Sequence, residues 1–245
     1  MGLRPYIKVA LAVFLFTGGV IFADWDADEP ALYYQLPDLA GWSVYSEWGS
    51  GSAVADDWTA ATTAPITGIH FWGGWKNDVV GATGDIYIRI FSDDTSGPFA
   101  RPGTQLWDGI FSNSDDNPDN DYTIRFYGRS PQGFYDPRYG DWDKDDHSNM
   151  YQYNIPLIAE PYTQQAGHTY WIMMSVAVDG GAWGWNTAES VTGNPAVFWD
   201  EAIGWTELTT PADPQKSPDM AFVLNPEPAT LLLLGLGAVL VSKGR

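Results

Sequence analysis

The run Asp141-Trp142-Asp143-Lys144-Asp145-Asp146 sets carboxylates at alternate positions. A hard cation such as calcium draws several oxygens out of one tight turn in this way, so Asp141, Asp143 and Asp145 are candidate calcium ligands. The match to an EF-hand loop stops there, because Asp146 stands where that loop needs glycine and Gln152 where it needs a bidentate glutamate. A solvated acidic loop whose side chains cap their own turns fits the same residues. Asp115, Asn117, Asp119 and Asp121 form a second alternating set, interrupted by Pro118. Calcium is the only cofactor these residues suggest.

Indoles are the second source of chemistry. Trp72 and Trp75 bracket Gly73-Gly74, and Trp183 and Trp185 bracket Gly184. Aromatic faces carried on glycine-rich turns stack on the apolar face of a sugar ring, with Asn77, Asp78, Asn186 and Glu189 nearby to meet its hydroxyls. Residues two apart also share one face of a strand, and such a face is commonly core. Both readings fit the residues.

Catalytic patterns are sparse. His70, His147 and His168 show no zinc-like spacing, cysteine is absent, and neither a Gly-x-Ser-x-Gly elbow nor a phosphate loop occurs. Carboxylate pairs for glycoside hydrolysis, such as Asp56 with Asp57 or Asp200 with Glu201, leave no sequence spacing to read. With 31 acidic residues such pairs arise anyway, and the chain is expected not to be an enzyme.

The chain ends in Asn225-Pro226-Glu227-Pro228-Ala229-Thr230, an apolar run from Leu231 to Val241, and Ser242-Lys243-Gly244-Arg245. The uncharged stretch 229–241 is shorter than the roughly 20 residues of a comfortable span. Local thinning of the bilayer and snorkelling of Lys243 and Arg245 would let it lodge there. Two prolines keep the flank extended and open to an enzyme. These residues closely resemble the PEP-CTERM sorting signal of Gram-negative bacteria that make exopolysaccharide. The resemblance implies recognition at Pro226, Glu227 and Pro228, a temporary inner-membrane anchor over 229–241, a cytoplasmic stop at Lys243 and Arg245, and cutting near the tripeptide by an exosortase-type transpeptidase. Segment 225–245 is assigned to this signal.

At the other end, Arg4 and Lys8 precede an apolar stretch that runs to Ala23, and the charge changes abruptly at Asp24. This is the layout of a secretory signal peptide over 1–23, with an uncleaved anchor as the alternative. Either puts the domain outside the cytoplasm. Without cysteine, an exported domain relies on its core alone, and 13 Trp with 13 Tyr supply large areas to bury. The net charge of −19 becomes −23 once Arg4, Lys8, Lys243 and Arg245 are removed, leaving 8 basic against 31 acidic residues. So acidic a surface repels nucleic acid and anionic lipid.

Between the targeting segments the signal is period-two alternation in short runs. In Asp85-Ile86-Tyr87-Ile88-Arg89-Ile90-Phe91 three isoleucines share one face. Ranges 66–75, 121–127, 151–155, 169–178, 196–199 and 221–224 are further strands, and turn-rich segments such as 92–103 and 112–120 separate them. This predicts an all-β chain, a single antiparallel β-sandwich of jelly-roll or lectin-like type over 24–224, flanked by the signal peptide and a short C-terminal hydrophobic helix. The succession of Ala55-Asp56-Asp57-Trp58, Ile66 to Gly74, Ile86 to Asp93, the Pro102-Gly103 turn and Leu106-Trp107 is similar to an uncharacterised family of secreted β-sandwich domains that carry such tails. That resemblance implies a fold and no activity. The expected protein is exported, held at the inner membrane during sorting, and released to the cell surface or extracellular matrix. Its β-domain is expected to be a structural matrix component, with an exopolysaccharide-binding module as the alternative and a glycoside hydrolase less favoured.

Overall fold

The structure, a computed structural model, describes residues 24–27, 29–113, 121–211 and 213–226. The expected signal peptide over 1–23, Asp115, Asn117, Asp119, and the sorting segment beyond Pro226 (Glu227, Pro228, Lys243 and Arg245 included) lie outside the described residues.

Fifteen strands make up the described chain: β1 (Tyr33–Gln35), β2 (Trp42–Tyr45), β3 (Ser52–Thr59), β4 (Ala64–Pro65), β5 (Gly68–Trp75), β6 (Ala82–Asp94), β7 (Arg101–Phe111), β8 (Thr123–Asp136), β9 (Asp141–Ile155), β10 (Thr163–Gln164), β11 (Thr169–Asp179), β12 (Trp183–Asn186), β13 (Val197–Asp200), β14 (Gly204–Glu207) and β15 (Phe222–Asn225). The one helical element among the described residues is a 3-10 turn at Lys76–Asp78. No helix among them is long and apolar enough to cross a membrane, and the expected anchor over 229–241 is outside them.

Two large sheets result. The first runs β1-β15-β5-β12-β2-β8-β9, and β9 pairs back onto β5, so five of its strands close into a barrel-like ring. On one edge of β5, β15 and β12 lie end to end, while β9 takes the other edge. The second sheet runs β14-β13-β3-β11-β6-β7, and β4 with β10 makes a separate two-stranded ribbon. The all-β expectation agrees with this, but the uniformly antiparallel one is corrected. Among these strand pairs β2 runs parallel to β8, and ring closure makes the first layer more than an open sheet.

Alternation explains which face each strand buries. Ile86, Ile88 and Ile90 of β6 stand opposite Val176, Met174 and Ile172 of β11. These six join Val44, Phe71, Trp75, Trp183, Trp185 and Phe222 of the first sheet in one buried cluster. Each such side chain contributes on the order of 1.5–3 kcal/mol when fully buried. The other faces of β6 and β11 carry Tyr87, Arg89, Phe91, Trp171, Met173 and Ser175, which look away from this core. Polar residues gather on the opposite face of the ring strands. There Asn186 Nδ2 donates to Gln132 Oε1 at 2.6 Å, and His70 Nδ1 lies 2.7 Å from Asn154 Oδ1.

Candidate functional site

The four indoles singled out in the sequence are core. Trp72, Trp75, Trp183 and Trp185 are at most 2% exposed, so the reading of them as sugar-stacking rings on turns is corrected. Gly73-Gly74 is the interior of β5, and Gly184 that of β12. The glycines are there for close approach: a Cβ on Gly73 would sit 2.5 Å from the Trp183 indole. Trp183 stands opposite Trp75 in register, and its Nε1 donates to Tyr153 Oη at 2.9 Å.

The acidic run is likewise strand. Asp141, Asp143 and Asp145 lie exposed along β9 in a hairpin with β8, where cross-strand pairing outweighs the low strand propensity of aspartate. Asp141 pairs with Lys76 at 2.9 Å, and Asp143 accepts the Asp145 amide at 3.2 Å. The expected tight turn is therefore absent, and no group of three or more acidic or histidine side chains among the described residues is placed to hold a metal.

One nucleophile–base–acid order occurs that the sequence did not reveal. His147 Nε2 lies 3.0 Å from Ser43 Oγ, and its Nδ1 lies 3.1 Å from Asp146 Oδ1. Access is lacking: Ser43 is fully buried, and a Cβ on Gly74 would stand 2.5 Å from Ser43 Oγ and 2.3 Å from His147 Nε2, so β5 fills the space a substrate needs. Burial lowers the His147 pKa, which weakens it as a base. Asp146 Oδ1 also accepts the Asn77 amide at 2.7 Å, so the set braces the turn where Asn77 and Asp78 adopt left-handed φ of 58° and 55°.

An accessible site lies on the outer face of the second sheet. The last β3–β11 rung is Val54 with Met174, beyond which the two strands part. Residues 46–48 enter that gap: Ser46 Oγ accepts the Val54 amide at 3.1 Å and donates to Met174 O, and the Trp48 amide donates to Val176 O at 3.0 Å. This wedge sets the Trp48 ring on Tyr87, with centroids 3.8 Å apart and planes 9° from parallel. On the far side, Trp199 of β13 stands opposite Trp205 of β14, their rings edge to face at 5.3 Å. Three inter-strand steps separate β13 from β6, roughly 14 Å at the usual spacing. Between them lies a cleft of about 480 Å3, lined also by Ala53, Phe91, Met173 and Ser175, with Arg89 and Glu47 among its walls. Trp48 and Trp199 keep 41% and 38% of their surface exposed, which buried core indoles do not. The Glu47 carboxylate is already engaged by Tyr45 Oη at 2.9 Å and the Trp183 amide at 2.7 Å.

A third cluster is buried acid. Asp56 accepts Gln35 Nε2 at 3.0 Å and the Met220 amide at 2.6 Å, Asp57 accepts Asn194 Nδ2 at 2.7 Å, and Asp219 accepts the Thr192 amide at 2.5 Å. Burial pushes Asp219 up to about 7 and Asp57 up to about 6. It also raises Asp56 well above the carboxylate range, and the neighbouring Asp219 charge adds to this.

The model of one family, a domain of unknown function (DUF7901), matches residues 31–225, and a PEP-CTERM protein-sorting motif matches residues 226–245. The motif implies export and membrane-associated sorting by an exosortase-type system. No curated protein and no solved structure matches the chain.

Proposed function

We propose, from the premise that the chain belongs to the DUF7901 family and ends in a PEP-CTERM motif, that it is a non-enzymatic polysaccharide-binding protein of the cell surface or extracellular matrix. Its domain is read as a β-sandwich of lectin-like type whose outer face carries the binding cleft. The observation that carries this reading is the pair of half-exposed indoles, Trp48 and Trp199, that line one cleft of the outer face. Holding indoles in water costs hydrophobic free energy that burial would have recovered, and an aromatic-lined groove is the usual platform for a sugar ring. Glu47 is tied into the fold and Asp56 and Asp57 are buried, which favours binding over glycosidic cleavage.

Trp48→Ala and Trp199→Ala are each expected to weaken binding to the producer's own polysaccharide about tenfold or more, as removal of an anchoring indole does at other interfaces. Melting temperature should change little. Affinity electrophoresis beside thermal denaturation checks both; unchanged mobility shift in both variants would remove the reading.

A purely structural matrix role is the second reading, favoured by the weight of tryptophan committed to the core. It requires the same sorting step and no ligand. For either role, intact-mass measurement of secreted protein should find a chain ending near Pro226-Glu227-Pro228 and lacking Leu231 through Arg245. Retention of those residues would overturn the sorting step itself.

A further inference from the structure

Setting aside Arg4, Lys8, Lys243 and Arg245 from the twelve basic residues leaves eight, all described. In a domain with so large an excess of acid, each is expected to find a carboxylate. Six form ion pairs with aspartates, and Arg129 donates to Asn149 Oδ1 at 3.0 Å. Arg89 alone of these eight makes neither an ion pair nor a side-chain hydrogen bond among the described residues. Its guanidinium lies 5.3 Å from the centre of the Trp48 ring, on the lining of the aromatic cleft. None of its nitrogens is a buried, unsatisfied atom, so its donors keep contact with solvent at the cleft wall that Arg89 helps to form. Two carboxylates near it in the fold bond to other groups instead. Glu47 holds Tyr45 and Trp183, and Asp108, opposite Arg89 in register on β7, accepts Gln105 Nε2 at 3.0 Å.

We infer that the cleft takes an anionic sugar, a ring bearing a carboxylate or a sulfate ester that Arg89 receives while the ring lies against the indoles. This rests on the polysaccharide reading above and narrows it to a charged class. A guanidinium presents paired donors that match either anion, and stacking on Trp48 holds the fork in place. The acidic surface does not forbid the encounter, because at physiological salt charges beyond about 8 Å are largely screened and the final contact is local. A neutral glycan would leave a partly desolvated cation unpaired beside it, a preference built from cost as much as from attraction.

Three polymers test this against the full exported domain: polygalacturonate, the same polymer with its carboxyls reduced to neutral hydroxymethyl groups, and a sulfated galactan. The wild type is expected to bind at least one charged polymer about tenfold or more tightly than the reduced one, the usual scale for a charge-assisted hydrogen bond. Arg89→Gln should bring the charged polymer down to the level of the neutral one without altering the neutral affinity, whereas Trp199→Ala should weaken all of them. The charged polymer that Arg89→Gln affects distinguishes carboxylate from sulfate. A preference that survives Arg89→Gln, or equal binding of charged and reduced polymers by the wild type, overturns the anionic class and leaves the polysaccharide reading standing. Absence of binding to all three by a protein that binds the producer's own polysaccharide overturns the anionic class alone, and absence of binding to that polysaccharide as well overturns both.

Discussion

Trp183→Ala is expected to destabilise the domain by about 3–5 kcal/mol, the range for truncating a buried tryptophan. Three features of the site place it toward the upper end. The indole is fully buried and packs edge to face on Phe71 and Tyr153, with ring centres at 6.1 and 5.7 Å. Its Nε1 donates to Tyr153 Oη, a hydroxyl in the interior that would lose this donor. It also covers Gly73, which has no side chain to move into the space left behind, so the cavity cannot close from that side. At roughly 2–4 °C per kcal/mol for a domain of this size, the melting temperature should fall by about 10 °C or more. Thermal or urea denaturation measures it, with Trp199→Ala as the exposed counterpart. A loss in Trp183→Ala no greater than in Trp199→Ala would mean that the packing of Trp183 on Phe71 and Tyr153 does not hold the first sheet's core together.

The second large effect is one of pH. Asp56, Asp57 and Asp219 are buried without a cation among their described partners, and Asp219 Oδ1 has no hydrogen-bond partner. Their folded-state pKa values are raised, so the native state keeps protons that the unfolded chain releases near its ordinary value of about 3.9. Stability from this cluster is thus greatest in acid and is lost as pH climbs through about 6 to 7. His70 acts in the other direction. Burial lowers it to about 4, so it costs stability as pH falls below its unfolded value. The wild-type profile sums both, and a difference between proteins isolates one. Asp219→Asn keeps an acceptor for the Thr192 amide and removes the charge. Relative to wild type, the variant should gain on the order of 2 kcal/mol between about pH 5 and about pH 8. Parallel unfolding curves for the two proteins across that range would show that Asp219 is not held protonated by its surroundings.

The parts of the fold readable from sequence were those in which one face of a strand is apolar. Ile86, Ile88 and Ile90 announced β6, and the ranges around 68–75, 169–179 and 222–225 were visible for the same reason. The first half of β9 was hidden because Asp141 to Asp146 have the composition of a loop, and only the partner strand β8 makes it extended. Glycine-bracketed indoles suggested turns, whereas here glycine makes room for a neighbouring ring, a distinction that local spacing does not carry. The cleft escaped notice for a different reason. Trp48, Arg89, Trp199 and Trp205 are far apart in the chain and meet only because the sheet order is β14-β13-β3-β11-β6. A partial signal was present in β6, whose supposed solvent face carries Tyr87, Arg89 and Phe91 instead of small polar residues.

Asn225 is the final rung of β15, paired to Gly68 and with its carbonyl accepting the Thr67 amide at 2.9 Å, and Pro226 follows at once. There is no slack between the sheet and the recognised tripeptide. An attachment made there would transmit a mechanical pull directly into β15, which lies between β1 and β5. The ladder bonds of antiparallel strands stand perpendicular to the chain, so the load would meet them in shear and they would have to fail together. Tethered in this way, the domain would resist drag from flowing medium through its most buried strands, with no compliant linker to stretch first.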